Sequence, residues 1–214
     1  MTVLDAIQFR RSVKSYDPSH RLSEAELRTL LSAGALAPTS FNMQNRQFVA
    51  VIDVGTKRAL KDAAWGQEQV ADASVVVVLI GDLTAHRRTD RYLRNAPPAV
   101  RAQLEPMIAG FYEGKDELLR DEACRSVGLA AMNLMLAARD AGYDSCPMVG
   151  FDPERVSSIL GLDTDHPPLL LVVIGKGTRE AHARLGLLAL EDVVSVDRFG
   201  ARSLAGEVSV QSRT

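Results

Sequence analysis

The sequence predicts a mixed α and β domain, and three observations carry that expectation. Apolar runs at 74–81 (SVVVVLIG) and 169–175 (LLLVVIG) have the length and β-branched content of strands covered on both faces. Around them lie stretches with helical spacing, the longest at 117–141. Strands scattered singly among long helices argue against both a helix bundle and a β-sandwich.

Size and composition agree. A chain of 214 residues buries roughly 70% of the surface it exposes when unfolded, enough for one core without a disulfide or metal staple. Hydrophobic residues make up 46% and charged residues 24%, and 25 basic against 27 acidic side chains give a formal charge of −2. Nothing in that balance supplies a basic field for nucleic acid or an anionic membrane. Cys124 and Cys146 form no CxxC pair, so a reducing compartment is expected and no metal site. The opening MTVLDAIQFRRS lacks a secretory pattern, and no apolar run reaches the ~18 residues of a membrane span. The expectation is a cytoplasmic protein with one domain over 1–200 and a polar, frayed tail at 201–214.

Along the chain, Thr2 caps a short helix to Phe9, with Asp5 favouring its N-terminal dipole. Ser23 and Glu26 form a capping box ahead of the Leu27, Leu30, Leu31 stripe, which runs to about Ala35 before Pro38. A strand at 47–53, a helix at 55–64 and the strand at 74–81 follow. Helical segments are expected at 83–93, at 97–112 with a disturbance at Pro106, and at 117–141 closed by Gly142. Segment 145–152 reads as a loop leading into a helix started by Asp152-Pro153-Glu154 and stopped by Gly161. After the strand at 169–175, EDVVSV at 191–196 reads as a weaker fourth strand.

The common catalytic signatures are absent from the sequence. No GxGxxG follows a strand, Gly175-Lys176-Gly177-Thr178 lacks the phosphate-loop spacing, and there is no GxSxG or HExxH. Three polar clusters remain. Arg10-Arg11-Ser12-Val13-Lys14 ends the first helix; it suits an anion, and equally a favourable charge–dipole arrangement. Thr39, Ser40, Asn42 and Gln44 make a polar wall able to bond a polyhydroxylated chain, in residue types that also simply favour turns. In Ser145–Asp152, Gly150 allows a close backbone approach to a ligand, or an ordinary turn.

Together these clusters resemble the FMN-dependent nitroreductase family, in particular its smaller members that reduce nitro compounds and quinones. RRSVKSYD, APTSFNMQNRQFVAV, QEQVADASVVVV, CPMVGFDPERV and LLLVVIGKG occur in the family's order and spacing, from about Val3 to Phe199. The resemblance implies an α+β fold with a mixed, mainly antiparallel sheet flanked by helices, in an intertwined homodimer with FMN at its interface. It implies that Arg10, Arg11, Ser12 and Lys14 contact the flavin phosphate, ribityl chain and ring edge. Pro38, Thr39, Ser40 and Asn42 would reach the flavin from the partner chain. Pro147, Met148, Val149 and Gly150 would lie along the ring, with the Val149 N–H facing flavin N5. Arg184 is the nearest candidate for a further phosphate contact. Where relatives carry an Asn this chain has Gly66, which leaves Gln67 or Gln69 to bond the pyrimidine edge. Trp65, Phe111 and Tyr112 are candidates for the substrate pocket, or aromatic core.

FMN carries the hydride chemistry, so no side-chain nucleophile is required. Lys14 would stabilise the negative charge of the reduced ring. The expected activity takes hydride from NAD(P)H and delivers it to a small-molecule electron acceptor, a quinone or nitroaromatic, by a ping-pong cycle. The alternative is a non-catalytic FMN carrier or regulatory protein of the same fold.

Overall fold

The computed structural model describes residues 1–201. Met1–Ala181 form one compact unit, and a second, smaller unit begins at His182. Within the first, α1 (Val3–Phe9) and α2 (Glu24–Ala35) precede β1 (Arg46–Val51), α3 (Val54–Ala63), α4 (Glu68–Asp72) and β2 (Val75–Gly81). Then come α5 (Thr89–Tyr92), α6 (Pro98–Tyr112), α7 (Asp116–Asp140), β3 (Asp144–Met148), α8 (Pro153–Leu160) and β4 (Pro168–Gly175).

Local chemistry sets the helix starts. Thr2 with Asp5, and Ser23 with Glu26, both close capping boxes, each cap contributing about 1 kcal/mol. Asp152 accepts from the Glu154 and Arg155 N–H groups at 3.0 Å ahead of Pro153, and Gly161 stops α8 with φ +67°.

The four strands form one antiparallel sheet in the order β1-β2-β4-β3. Every residue of β2 is buried. Its alternation divides the core in two: Val76, Val78 and Ile80 meet Leu60 of α3 and Val156 of α8, while Val75, Val77 and Leu79 meet Leu30 of α2 and Leu134 of α7. A smaller cluster around Tyr92, Ile108 and Tyr112 forms beside the sheet. Among the described residues no helix is long and apolar enough to cross a membrane.

Four details differ from the sequence-based expectation. Segment 144–148 is a strand, not a loop, and Pro147 sits inside it. Val13 N–H donates to the outward carbonyl of Ser145 (3.1 Å), and backbone groups two residues on point the same way. Pro147 therefore lacks its proton on the outer edge and not in the ladder with β4. The segment at 191–196 is no strand: a short helix, α9 (Leu190–Val193), stands there, its first turn holding the acidic Glu191 and Asp192 that favour a helix N-terminus. Pro106 does not interrupt α6. The carbonyl it leaves without a helical donor, that of Ala102, belongs to an exposed residue. Segment 83–93 breaks into a 3₁₀ turn, Ala85–Arg87, and the single turn of α5. Positions 202–214 of the expected tail lie outside the described residues.

Candidate functional site

The first cluster is an extended segment laid along the outer edge of β3. Arg10 leaves α1 with extended backbone, Ser12 bridges Ser145 in parallel, and Tyr16 bridges Gly177. Alternation then sorts the side chains. Arg10, Ser12 and Lys14 face Cys146: burial pushes its thiol pKa up, and the Lys14 charge, the Ser12 hydroxyl and the Arg10 charge partly offset that rise. Arg11 and Val13 turn the other way and line a separate cavity of about 550 Å³ with Arg139, Asp144 and Arg179. The structure thus parts Arg11 from its three neighbours in the motif. Arg11 Nη1 is buried with no hydrogen-bond partner among the described residues, an orphaned donor of the kind an anion satisfies.

The third cluster joins the first through β3. Met148 ends the strand, Val149 is 77% exposed, and Gly150 follows. Two glutamines brace this loop. Gln67 Nε2 donates to the Gly150 carbonyl (2.9 Å) and to the Ala64 carbonyl (3.1 Å), while Gln69 Nε2 donates to Gln67 Oε1 (3.0 Å) and lies 3.9 Å from Met148 Sδ. Both Gln67 and Gln69, expected at a flavin edge, have their amide nitrogens engaged within the protein. Trp65 and Gly66 adopt left-handed backbone (φ +56° and +76°) just before them. A Cβ on Gly150 would stand 3.1 Å from the Trp65 ring, so the glycine lets loop and ring meet. Trp65, Gln67, Gln69, Met148 and Gly150 therefore gather about the end of β3, and Lys14, Ser12 and Arg10 follow back along its outer edge.

The second cluster lies elsewhere in the chain. Thr39 Oγ1 accepts the Gln44 N–H (2.9 Å), Ser40 donates to Glu122 (2.8 Å), and Asn42 Nδ2 donates to the Tyr92 carbonyl (3.1 Å). Pro38 is exposed. Phe41, Asn42 and Gln44 all hold φ near +50° to +57°, a strained state for residues with a Cβ that persists where surroundings enforce it. This segment feeds the start of β1, which pairs with the end of β2 at Gly81, and Met148 pairs with Leu171 near the start of β4. The second and third clusters thus emerge at the same end of the sheet from opposite edges. Three inter-strand steps separate those edges, about 14 Å.

The aromatic candidates divide likewise. Trp65 belongs to the β3 end. Phe111, 44% exposed, and Tyr112, 1% exposed, stack edge to face and meet Phe41 of the second cluster. Tyr112 is core, and Phe111 keeps an exposed edge. Arg184 is an exposed residue of the second unit. Sequence reasoning missed a basic cluster after β2. Asp82, 3% exposed, accepts from Thr84 (3.2 Å) and Gln47 (3.3 Å) and pairs with Arg88. The signal was legible: residues 87–101 contain Arg87, Arg88, Arg91, Arg94 and Arg101 against Asp90 alone. Among the described residues no group of three or more His, Cys, Asp or Glu side chains is arranged to hold a metal.

Comparison with known proteins gives a consistent result. Residues 7–176 match the model of the nitroreductase family. The chain is 45% identical over 182 residues to protein DrgA of Synechocystis, covering 85% of this chain and 87% of that protein. It is 35% identical to MhqN of Bacillus subtilis, named as a candidate NAD(P)H nitroreductase, over 83% of this chain and 89% of the other. A candidate nitroreductase from Exiguobacterium sibiricum, solved in complex with FMN, superposes with a TM-score of 0.84 at 30% identity, covering 91% of this chain and 97% of that one. A sheet edged by the Arg10–Lys14 segment, with its polar wall at the far edge, is thus accompanied by sequence similarity across most of the chain, and the protein belongs to the nitroreductase family.

Proposed function

We propose that the protein is an FMN-dependent oxidoreductase that passes hydride from NAD(P)H to a quinone or nitroaromatic acceptor in a ping-pong cycle. The observation that carries this reading is the convergence of Arg10, Ser12 and Lys14 on Cys146 at the outer edge of β3, an open edge rich in cationic and hydroxyl donors that runs into the exposed Val149. The residues fit the cofactor: a phosphate needs cations and N–H donors, of which the buried Arg11 Nη1 stands unpartnered among the described residues, and the 77% exposed Val149 leaves backbone open to a ring. FMN, when bound, supplies hydride acceptance and donation. Arg10 and Ser12 hold the phosphate and ribityl groups, Lys14 offers positive charge to the ring, and the Val149 backbone lies along it. In this reading the unpartnered Arg11 Nη1 is a further phosphate donor, and Arg184 is a candidate for another.

The site is completed by a second copy, because Pro38, Thr39, Ser40 and Asn42 stand at the opposite sheet edge of their own chain. An exposed apolar strip supports self-association. Val3 (70% exposed) and Leu36 (83%) line a groove of about 400 Å³ with Leu136 and Ala137 of α7, and Leu4 (75%) of α1 and Leu129 (48%) and Met132 (43%) of α7 are also exposed. Trp65 and Phe111 then flank the acceptor. The protein acts in the cytoplasm as a homodimer.

The experiment is a visible spectrum of the purified protein, before and after NADPH without oxygen, with the mass in solution measured alongside. A yellow dimer that bleaches agrees with the proposal, and parallel double-reciprocal lines with menadione test the ping-pong order. Colourless protein that takes up no added FMN overturns it. A second reading, an FMN carrier without turnover, is favoured by the engagement of Gln67 and Gln69 within the protein; slow bleaching on stopped-flow mixing would select it.

A further inference from the structure

Residues 87–101, after β2, hold five arginines against one acidic side chain. Of these arginines, Arg88 pairs with Asp82 and Arg101 lies 3.8 Å from Glu105. Arg91 and Arg94 are exposed and form no ion pair among the described residues. Both line a cavity of about 340 Å³ together with Arg88, Asn42, Gln44 and Asn95. Three guanidinium groups and three side-chain amides thus meet in one concave place, in a protein whose net charge is −2. Two of the wall residues, Asn42 and Gln44, hold left-handed backbone (φ +57° and +50°). Strain of that kind in non-glycine residues recurs at ligand clamps.

We infer that this cavity binds the 2′-phosphate of NADPH and makes the protein selective for NADPH over NADH. The inference rests on the proposed function, which requires NAD(P)H to reach the flavin. Asn42 links the two places: it belongs to the segment assigned to the flavin wall and it also lines the arginine cavity. The cavity therefore adjoins the proposed flavin wall, where the phosphorylated end of a bound dinucleotide can meet Arg91 and Arg94. The two dinucleotides differ by one phosphate. Unpaired guanidinium forks match phosphate oxygens in charge and geometry, and they gain little from the neutral ribose hydroxyl of NADH. The volume lies at the low end of ligand pockets, about 300–1,000 Å³, with room for a sugar phosphate and not for a whole dinucleotide.

The test is calorimetric titration of the flavin-loaded protein and its Arg91→Ala/Arg94→Ala variant with adenosine 2′,5′-bisphosphate and with 5′-AMP at fixed ionic strength. The native protein is expected to bind the bisphosphate about tenfold or more tightly than AMP, and the double variant to lose that preference. In steady-state assays the variant raises KM for NADPH about 10- to 100-fold and changes KM for NADH less than about twofold, with bound flavin unchanged. Equal binding of both nucleotides by the native protein, or a variant that keeps the preference, overturns the inference. So does a variant whose KM rises for 4-nitrobenzoate and not for NADPH, since the cavity would then hold an acceptor carboxylate. A protein that takes up no FMN refutes the flavin reading instead, and the same bisphosphate titration of the flavin-free protein and its variant then decides the cavity.

Discussion

The side-chain amide of Gln67 donates to the carbonyl of Gly150 at 2.9 Å, joining positions 83 residues apart. That bond fixes the loop after β3 against the turn before α4. Because Gln69 accepts none of that load and instead donates to Gln67 Oε1, Gln67 is the shared member of the brace. A single neutral hydrogen bond contributes about 0.5–1.5 kcal/mol. Gln67→Ala is therefore expected to lower Tm by a few degrees, roughly 2–4 °C per kcal/mol for a domain of this size. Its larger effect falls on FMN, whose Kd should rise about tenfold as the loop loosens. Fluorescence titration of flavin-stripped protein checks this, and an unchanged Kd would remove the brace from the site.

Lys14 is exposed on the face it shares with Arg10 and Ser12. Its charge is worth most where negative charge develops on a bound ring, since preorganised charge costs no rearrangement during reaction. Lys14→Met should weaken FMN binding about tenfold or slow flavin reduction by NADPH comparably. Stopped-flow absorbance at saturating flavin separates the two effects; neither changing would place Lys14 outside the site.

How far the sequence led is best judged at β2, Ser23 and Pro147. The unbroken apolar run of β2 and the Ser23–Glu26 box announce themselves because their causes are local: burial on two faces, and a side chain bonding a backbone three residues away. Pro147 misled because a proline argues against a strand unless its missing proton falls on an outer edge, and which edge is outer depends on the Ser12–Ser145 pairing. The same pairing separates Arg11 from Arg10, which a motif written in one line cannot express. The sequence offers Gln67 or Gln69 as a ligand to flavin, while the bond from Gln67 to Gly150 spans too much chain to be read from spacing. Arg91 and Arg94 were legible as charge, but their shared cavity with Asn42 is a product of the fold.

Glu26 gives a pH prediction with a definite sign. Hydrogen bonds from the Ser23 hydroxyl, from Tyr143 and from the Ser23 backbone hold its carboxyl down at about 2, against 4.5 when unfolded. A depressed folded-state pKa contributes stability that is fully present above 4.5 and is lost as pH falls toward 2. Glu26→Gln should lower Tm at pH 7, and the difference from the native protein should shrink steadily between pH 4.5 and 2. Thermal melts across that window decide it. A difference that stays constant, or widens on acidification, would show that the carboxylate is not what stabilises the start of α2.

Cys146 stands beside Lys14 and Arg10 in a site assigned to redox chemistry, yet its surroundings argue for an inert thiol. It is 4% exposed, its Sγ lies 3.6 Å from the Pro147 carbonyl, and burial, the largest influence, pushes its pKa above the ordinary thiol value. The thiolate is the reactive form, so a raised pKa and an enclosed sulfur both suppress reaction. Iodoacetamide at pH 8 should leave Cys146 unmodified in the folded protein and label it once the protein is unfolded in guanidinium, as peptide mass spectrometry reads directly. Cys146→Ala should keep the flavin reduction rate within about twofold, because a small buried apolar group is all the site requires there. Rapid labelling of the folded protein together with a collapse of that rate in the alanine variant would instead assign the thiol a part in electron transfer.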